Sequence, residues 1–548
     1  MAWSLTAADR RALANAPRSL APADRSATAG AAPPTVTISP LPGTRDASPV
    51  TQISFLGAPP SEIRDVSVTG SRSGTHSGGM RAYASAPGAS FLPSRRFQEG
   101  EQVTVTALVG PAGSARRVAS SFTVARHDFA FHFVPLRAPG PPKPGSFQSF
   151  VSAASLKPPP TSTSGESPQA AAGDIFLAPR HSPTQDGPMI IDGSGNLVWF
   201  KPLPSSEGAM DLKVQSYEGK PVLVWWQGSN APLFQLGLGF GVDEVYDASY
   251  RRVAEIRAGN GYWADLHEVQ ITPQGSAFIT ADTLVRADLS SVGGYREGSI
   301  SDGVVQEVDV KTGLVMFEWH ALGHVALGDS FTHYTSPGNP WDWFHLNSVS
   351  LGPRGDLLLS ARNTWCVYDV SLANGGVLWR LGGKKPSFHM GSGTGTAWQH
   401  NARFQPDGTI TIFDDGAAPK EHSQSRVIRE QLDPAHRSVK LLDRYVHTPS
   451  LLSGSQGNDQ VLPNGDSFVG WGSEPYFTEY SPTGQVLFDG HLQSPAQSYR
   501  AYKFPWNATP YYPPAITVRT TNGKATVYAS WNGATNVTQW RVLAGNDP

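Results

Sequence analysis

A single cysteine, Cys366, occurs in 548 residues. That count excludes an intramolecular disulfide framework and a cysteine-rich zinc site. In the run NTWCVYDV it reads as a buried strand residue rather than a reactive thiol, following the burial preference of free cysteine. Long hydrophobic runs are missing as well: nothing approaches the ~20 apolar residues of a transmembrane helix, so no membrane span is expected. Nor does charge of one sign dominate. Lys and Arg number 43 against 45 Asp and Glu, a formal charge of −2, and no basic cluster supplies the footprint of a nucleic-acid-binding protein. The N-terminus, MAWSLTAADRRALANAPRSLAPADRSATAG, has neither the basic start nor the unbroken apolar core of a secretory signal, so export is not read from it.

What is present is ordinary globular composition, 39% hydrophobic and 16% charged, in a chain long enough to bury a sizeable core. Its texture is that of an all-β protein. Residues 1–32, rich in Ala, Arg, Ser and Pro, read as a flexible leader. The runs TVTISP, ISFLG, VSVTG, EQVTVTALV and SSFTVAR, separated by Gly, Pro and Ser turns, predict an immunoglobulin-like β-sandwich over 33–126. A Pro/Ser-rich segment over 127–172, with PGPPKPG and KPPPTSTSGESP, predicts a linker or surface strap.

Over 173–512 a pair of phrases recurs. One is a strand-turn-strand built on PQG, PRGD, PDG or PNGD; the other is a strand pair such as VVQEVDVKTGLVMFEW, WCVYDVSLANGGVLWRLGG or YFTEYSPTGQVLFDG. Together they supply about four short strands, the content of one blade, and their number predicts a β-propeller of about six blades. Residues 513–548 read as a short, partial immunoglobulin-like or fibronectin-like β module.

Three of the hairpins carry a histidine at a corresponding place. DWFHLNSVSLGPRGDLLLSAR presents His345 and returns to Arg362, YWADLHEVQITPQGSAFITADT presents His267, and AWQHNARFQPDGTITIFDDG presents His400. Imidazole serves as base, acid, nucleophile or metal ligand near neutral pH, so its recurrence at one point of a repeated unit predicts convergence on one site. Asn347, two residues from His345 in a strand, shares its face and either orients it or lines the pocket. Trp341, Trp343 and Trp398 flank the histidines and read equally as aromatic walls or as seals of the strand core. Asp414 and Asp415 are adjacent in a strand and point to opposite faces, which rules out a facing acid and base. One reads as orienting a histidine and the other as turn chemistry. Three histidines are also a zinc-like set, but a cation beside Arg362 would be repelled, and the reading carries no metal. His320, His324, His333, His389, His422 and His447 have no such hairpin context and read as surface or loop residues.

The succession LHEVQITPQG, DWFHLNSVSLGPRGDLLLSARN, VLWRLGG, WQHNARFQPDGTITIFDDG and LPNGDSFVGWGS resembles the arylsulfotransferase family, in its bacterial aryl-sulfate-dependent type and the actinobacterial and fungal relatives, over 173–506. The resemblance implies a six-bladed propeller with a funnel on its axis and a small β-sandwich before it. It also implies transfer of a sulfuryl group from an aryl sulfate to a phenol, without nucleotide sulfate and without a cofactor. By motif, His400 in WQHNAR matches the histidine that becomes transiently sulfated, and His267, His345 and Arg362 match residues around the sulfuryl group. Asn347, Trp343 and Trp398 are the expected substrate-binding residues. The absence of a glycine-rich P-loop agrees with a donor that is not a nucleotide. The expected partners are small aryl sulfates and phenols, a homodimer stays open, and the bacterial relatives favour an exported location. Two other readings stand beside this one: a non-catalytic secreted or cell-surface propeller that binds a ligand, and an aryl sulfate hydrolase working from the same site.

Overall fold

The computed structural model describes residues 36–128, 147–229, 237–335, 340–543 and 545. The leader read over 1–32 lies outside the described residues, as does 129–146 of the Pro/Ser-rich segment. Among the described residues the regular elements are β-strands and short 3₁₀ turns, so the protein is all-β.

Alternation of side chains builds the first part. In Gln102–Val109 every second residue, Val103, Val105, Ala107 and Val109, is buried, the period that a half-buried strand imposes. That strand lies in a sheet with Gly74–His76, Ile63–Gly70 and Arg116–Thr123; a second sheet holds Thr37–Ser39, Ile53–Leu56, Gly88–Pro93 and Gly78–Ala82. The two sheets share one apolar core that includes Ile53, Phe55, Phe91, Phe97 and Phe122.

From Asp174 onward the chain makes antiparallel four-stranded units in succession. They run from Gly208–Tyr217 to Arg252–Ile256, from Trp263–Ile271 to Val315–His320, from Leu346–Leu351 to Val377–Gly382, from His400–Phe404 to Ser438–Tyr445, and from Asn458–Val461 to Val486–Leu492. One further unit is composite. The late strand Gln497–Phe504 pairs antiparallel with Asp174–Arg180, which continues into Met189–Ile191 and Leu197–Phe200. The opening strands touch in a cycle: 208–217 meets 263–271, which meets 346–351, then 400–404, 458–461 and 497–504, and the last returns to 208–217. A closed cycle of opening strands is a propeller-like arrangement, and pairing a late strand with an early one is what closes it.

Part of the Pro/Ser-rich segment lies along this body: Thr161–Thr163 pairs with the edge strand Val486–Leu492. At the other end Ala515–Thr521 and Lys524–Ser530 form a two-stranded ribbon. Cys366 is a buried strand residue whose thiol is pushed up to about 12 by burial. His320 corrects the surface-or-loop reading, since it ends a strand in which all six residues are buried; His447 lies in a loop and is buried there. Both are accommodated inside because carboxylates meet their rings, Asp302 for His320 and Asp489 for His447.

Candidate active site

His400 begins the opening strand His400–Phe404, His345 immediately precedes Leu346–Leu351 and His267 lies in the middle of Trp263–Ile271, and each strand is irregular there. The antiparallel register shifts between Ala264 and Val269, between Leu346 and Ser348, and between His400 and Arg403. A bulge re-aims side chains that strict alternation would send elsewhere. His345, Trp398 and Asn401 have φ of 56°, 60° and 52°, a left-handed conformation that residues other than glycine seldom adopt and that marks sites held by their surroundings. The outcome is convergence. The ring centroids of His267 and His345 are 4.9 Å apart, those of His345 and His400 6.3 Å, and those of His267 and His400 6.5 Å. One nitrogen of each lies within 4.8 Å of the others.

Every one of these rings has an aspartate on Nδ1. His267 pairs with Asp265, His345 with Asp342 at 2.6 Å, and His400 with Asp415 at 2.8 Å. The environment of His400 fixes its tautomer. Its Nδ1 also lies 3.2 Å from the carbonyl oxygen of Trp398, which can only accept, so Nδ1 carries the hydrogen. Its Nε2 accepts the backbone N–H of Gln456 at 3.2 Å, so Nε2 carries the lone pair. Burial holds the His400 pKa well below the ordinary imidazole value, and the guanidinium of Arg362 pushes the same way, followed by His345, His267 and Arg500. Burial likewise lowers His267, against the pull of Asp265. Burial raises Asp415 well above an exposed carboxylate, with Arg362 opposing.

Arg362 opens the 3₁₀ turn Arg362–Thr364 at the end of the hairpin, where its backbone N–H donates to the carbonyl of His345 at 2.9 Å. Its guanidinium lies over the Trp398 ring, 4.7 Å from the centroid, and donates to the carbonyls of Gly454 and Ala418. Asn347 donates to the carbonyl of Gln399 at 2.8 Å, while its own Oδ1 makes no hydrogen bond to another described residue. Trp343 lies elsewhere: it belongs to an apolar cluster with Phe344, Leu346 and Trp319. The structure thus brings His267, His345, His400, Arg362 and Trp398 together and sets Trp343 in the core. Of the aspartate pair, Asp415 meets His400, while Asp414 faces Arg426 and His422.

Sequence reasoning missed four participants. Asp265 and Asp342 precede their histidines by two and three residues, a spacing that was there to be read. Tyr499, its ring 5.6 Å from that of His267, and Arg500 come from the closing strand. Arg500 is fully buried and bonds Asp211 at 2.9 Å, Glu268 at 3.1 Å and the carbonyl of Asn347 at 2.9 Å. Glu268 also holds Lys213 and Arg403, and these three cations keep its carboxyl low although burial alone would raise it. A compact ionic floor therefore supports the strands that carry the histidines.

Comparison with known proteins follows the same line. The family described as Arylsulfotransferase (ASST) matches residues 213–493, more than half of the chain. No curated protein matches. Among solved structures, a protein of unknown function from Bacteroides caccae shares 13% identity, covering 61% of this chain and 99% of that one, with a TM-score of 0.37. Virginiamycin B lyase from Staphylococcus aureus shares 9%, covering 63% and 88%, with a TM-score of 0.29. Hydrazine synthase from Kuenenia stuttgartiensis shares 11%, covering 74% and 99%, with a TM-score of 0.32.

Proposed function

The chain belongs to the arylsulfotransferase (ASST) family, and from that premise we propose that it transfers a sulfuryl group from an aryl sulfate to a phenol through a sulfated His400, inside a six-bladed funnel. The observation that carries this reading is the tautomer of His400. A neutral imidazole with its hydrogen on Nδ1 and its lone pair on Nε2 is a nucleophile ready for use.

Sulfuryl transfer, like phosphoryl transfer, moves a tetrahedral oxyanionic group between nucleophiles, so catalysis rests on alignment and on stabilising charge. In the first half, His400 Nε2 attacks sulfur, the N–S bond forms, and the bond from sulfur to the aryl oxygen breaks, releasing a phenolate. Positive charge develops on the ring, and the carboxylate of Asp415 on Nδ1–H meets it. Gln456 N–H, which occupies Nε2 in the resting site, yields its place to sulfur. Arg362, permanently charged and steadied on Trp398, offers donors to the sulfuryl oxygens. In the second half, the oxygen of the acceptor phenol attacks sulfur and the N–S bond breaks, restoring neutral His400. The acceptor's proton passes to His345, the most exposed of the three rings at 8% against 2% for His267 and 1% for His400, and goes on to the next leaving phenolate. A metal held by the three rings is disfavoured because His400 Nε2 already accepts an N–H and a guanidinium stands close by.

The test uses the purified full chain with a chromogenic aryl sulfate, with and without phenol, beside His400→Ala. Phenol-dependent release of colour, a new aryl sulfate and a sulfuryl adduct in the intact mass, all lost in the variant, support the reading. Release that ignores phenol and yields sulfate would make the protein a hydrolase. No turnover and no adduct across several donors would make it a binding propeller.

A further inference from the structure

A second cluster of buried groups lies away from the histidine site, where the N-terminal sandwich meets the unit that runs from Trp263 to His320. The junction is close and polar: Gln52 N–H donates to Asn260 at 3.0 Å, and Ser85 N–H to Asp309 at 2.7 Å. At its centre stand Asp46 from the sandwich, Asp302 from the strand Gly298–Asp309, and His320, each 2% exposed or less. His320 Nδ1 is 2.8 Å from Asp302 Oδ2 and 3.5 Å from Asp46 Oδ2. Its other nitrogen, Nε2, is 3.1 Å from Glu318 Oε1. The amides of Asn260 and Gln306 both donate to Glu318 Oε2, at 2.7 and 2.6 Å, which holds that carboxylate as an ionised acceptor for Nε2–H.

Nδ1 meets the two aspartates through its hydrogen, the position from which a bound cation would displace the proton. Three buried carboxylates face one imidazole, and among the described residues no Lys or Arg pairs with any of them. Were all three ionised, even a protonated His320 would leave two negative charges in excess, a costly state inside a protein. Two groups also lack a hydrogen bond of ordinary length from a described residue: Asp46, whose Oδ2 has His320 Nδ1 at 3.5 Å, and the buried hydroxyl of Tyr262, whose ring lies 6.0 Å from that of His320.

We propose that Asp46, Asp302 and His320 bind a divalent transition-metal cation, Zn²⁺ or Mn²⁺, that pins the sandwich to this unit. Ligand atoms about 2.0–2.2 Å from a common ion lie roughly 3–3.5 Å apart on neighbouring positions, close to the spacings found. One imidazole with two carboxylates suits these ions. Glu318 takes the outer role of a carboxylate that accepts the ligating histidine's other N–H, itself held by the two amides. The cation cancels the charge of the two ligating carboxylates, and the junction then depends on it for cohesion.

The experiment strips the full chain with a chelator, exposes it to Zn²⁺ or Mn²⁺, desalts it and measures metal per chain in wild type, Asp46→Asn and His345→Ala. Wild type and His345→Ala are expected to retain about one ion per chain and Asp46→Asn roughly tenfold less, with added metal raising the melting temperature of wild type and not of Asp46→Asn. Wild type without bound metal, or Asp46→Asn with undiminished metal, overturns the proposal. Loss in His345→Ala overturns it as well, by assigning the ion to the axial histidines. Should Asp46→Asn fail to fold, the X-ray absorption spectrum of Zn²⁺-loaded wild type decides: one imidazole among oxygen neighbours supports the site, and three imidazoles refute it.

Discussion

Replacing Asp415 by Asn tests the proposed nucleophile without removing it. The substitution keeps the shape of a fully buried side chain and deletes the charge that meets the developing imidazolium. The tautomer survives, because the Trp398 carbonyl still demands a hydrogen on Nδ1 and Gln456 N–H still demands a lone pair on Nε2; the new amide therefore turns its oxygen toward Nδ1. What is lost is the difference between a charged and a neutral acceptor. A hydrogen bond to a charged group is worth about 1.5–3 kcal/mol against about 0.5–1.5 kcal/mol for a neutral one, and at about 1.4 kcal/mol per factor of ten a difference of about 1–1.5 kcal/mol should slow the sulfation step roughly 5- to 13-fold. Single-turnover mixing with excess aryl sulfate, quenched and read by intact mass, measures that step directly, and donor affinity should be unchanged. A rate within about threefold of wild type, or a loss confined to donor binding, would refute the role given to this carboxylate.

Four further outcomes are expected. The acid limb of kcat/KM should fall below pH 6.5, because burial and Arg362 keep His400 neutral there; a limb at or above 6.5 would contradict this. At His400 the same shift means that the unfolded state binds more protons than the native one below 6.5, so the urea stability of wild type relative to His400→Gln should decline as pH drops from there toward the native pKa. Arg362→Lys gives up the planar stack on Trp398 and the forked donors and should lower kcat/KM by about 10- to 100-fold, as read in steady-state kinetics. Glu268→Gln leaves Lys213, Arg403 and Arg500 short of a counter-charge and should cost about 3–5 kcal/mol in urea denaturation.

The repeat was legible because its turns need one backbone conformation. Gly275, Gly355, Gly408 and Gly465, the glycines of PQG, PRGD, PDG and PNGD, have φ of 91°, 73°, 82° and 91°, which glycine adopts without strain. Each such turn therefore announces a hairpin, and the histidines at the hairpin mouths could be aligned by eye. The aspartate partners were harder to read. Asp415 was recognised only as one of a pair with opposite faces, and which member turns toward a histidine depends on the bulge at His400, which strict alternation does not reveal. His320 was misread for a related reason. VMFEWH closes a repeated strand pair but has no PQG-type hairpin beside it, and part of what covers its polar residues is the sandwich's Asp46, more than 250 residues earlier in the chain.

Closure of the strand cycle and completion of the site are one event. The closing strand Gln497–Phe504 lies outside the span matched by the family, yet it supplies Tyr499 beside His267 and Arg500 beneath the histidines. Arg500 reaches Asp211 on one opening strand, Glu268 on a second and the backbone of Asn347 on a third. A charge buried without these partners is prohibitive, and the partners without it are hardly better, so the ionic floor favours the closed cycle over any open one. His267 and His345 sit on or beside the second and third of these, and His400 on the strand whose Arg403 joins Glu268. Their approach to one another is thus set by the contacts that close the fold, and a substitution in the floor should loosen the histidine cluster and the protein together.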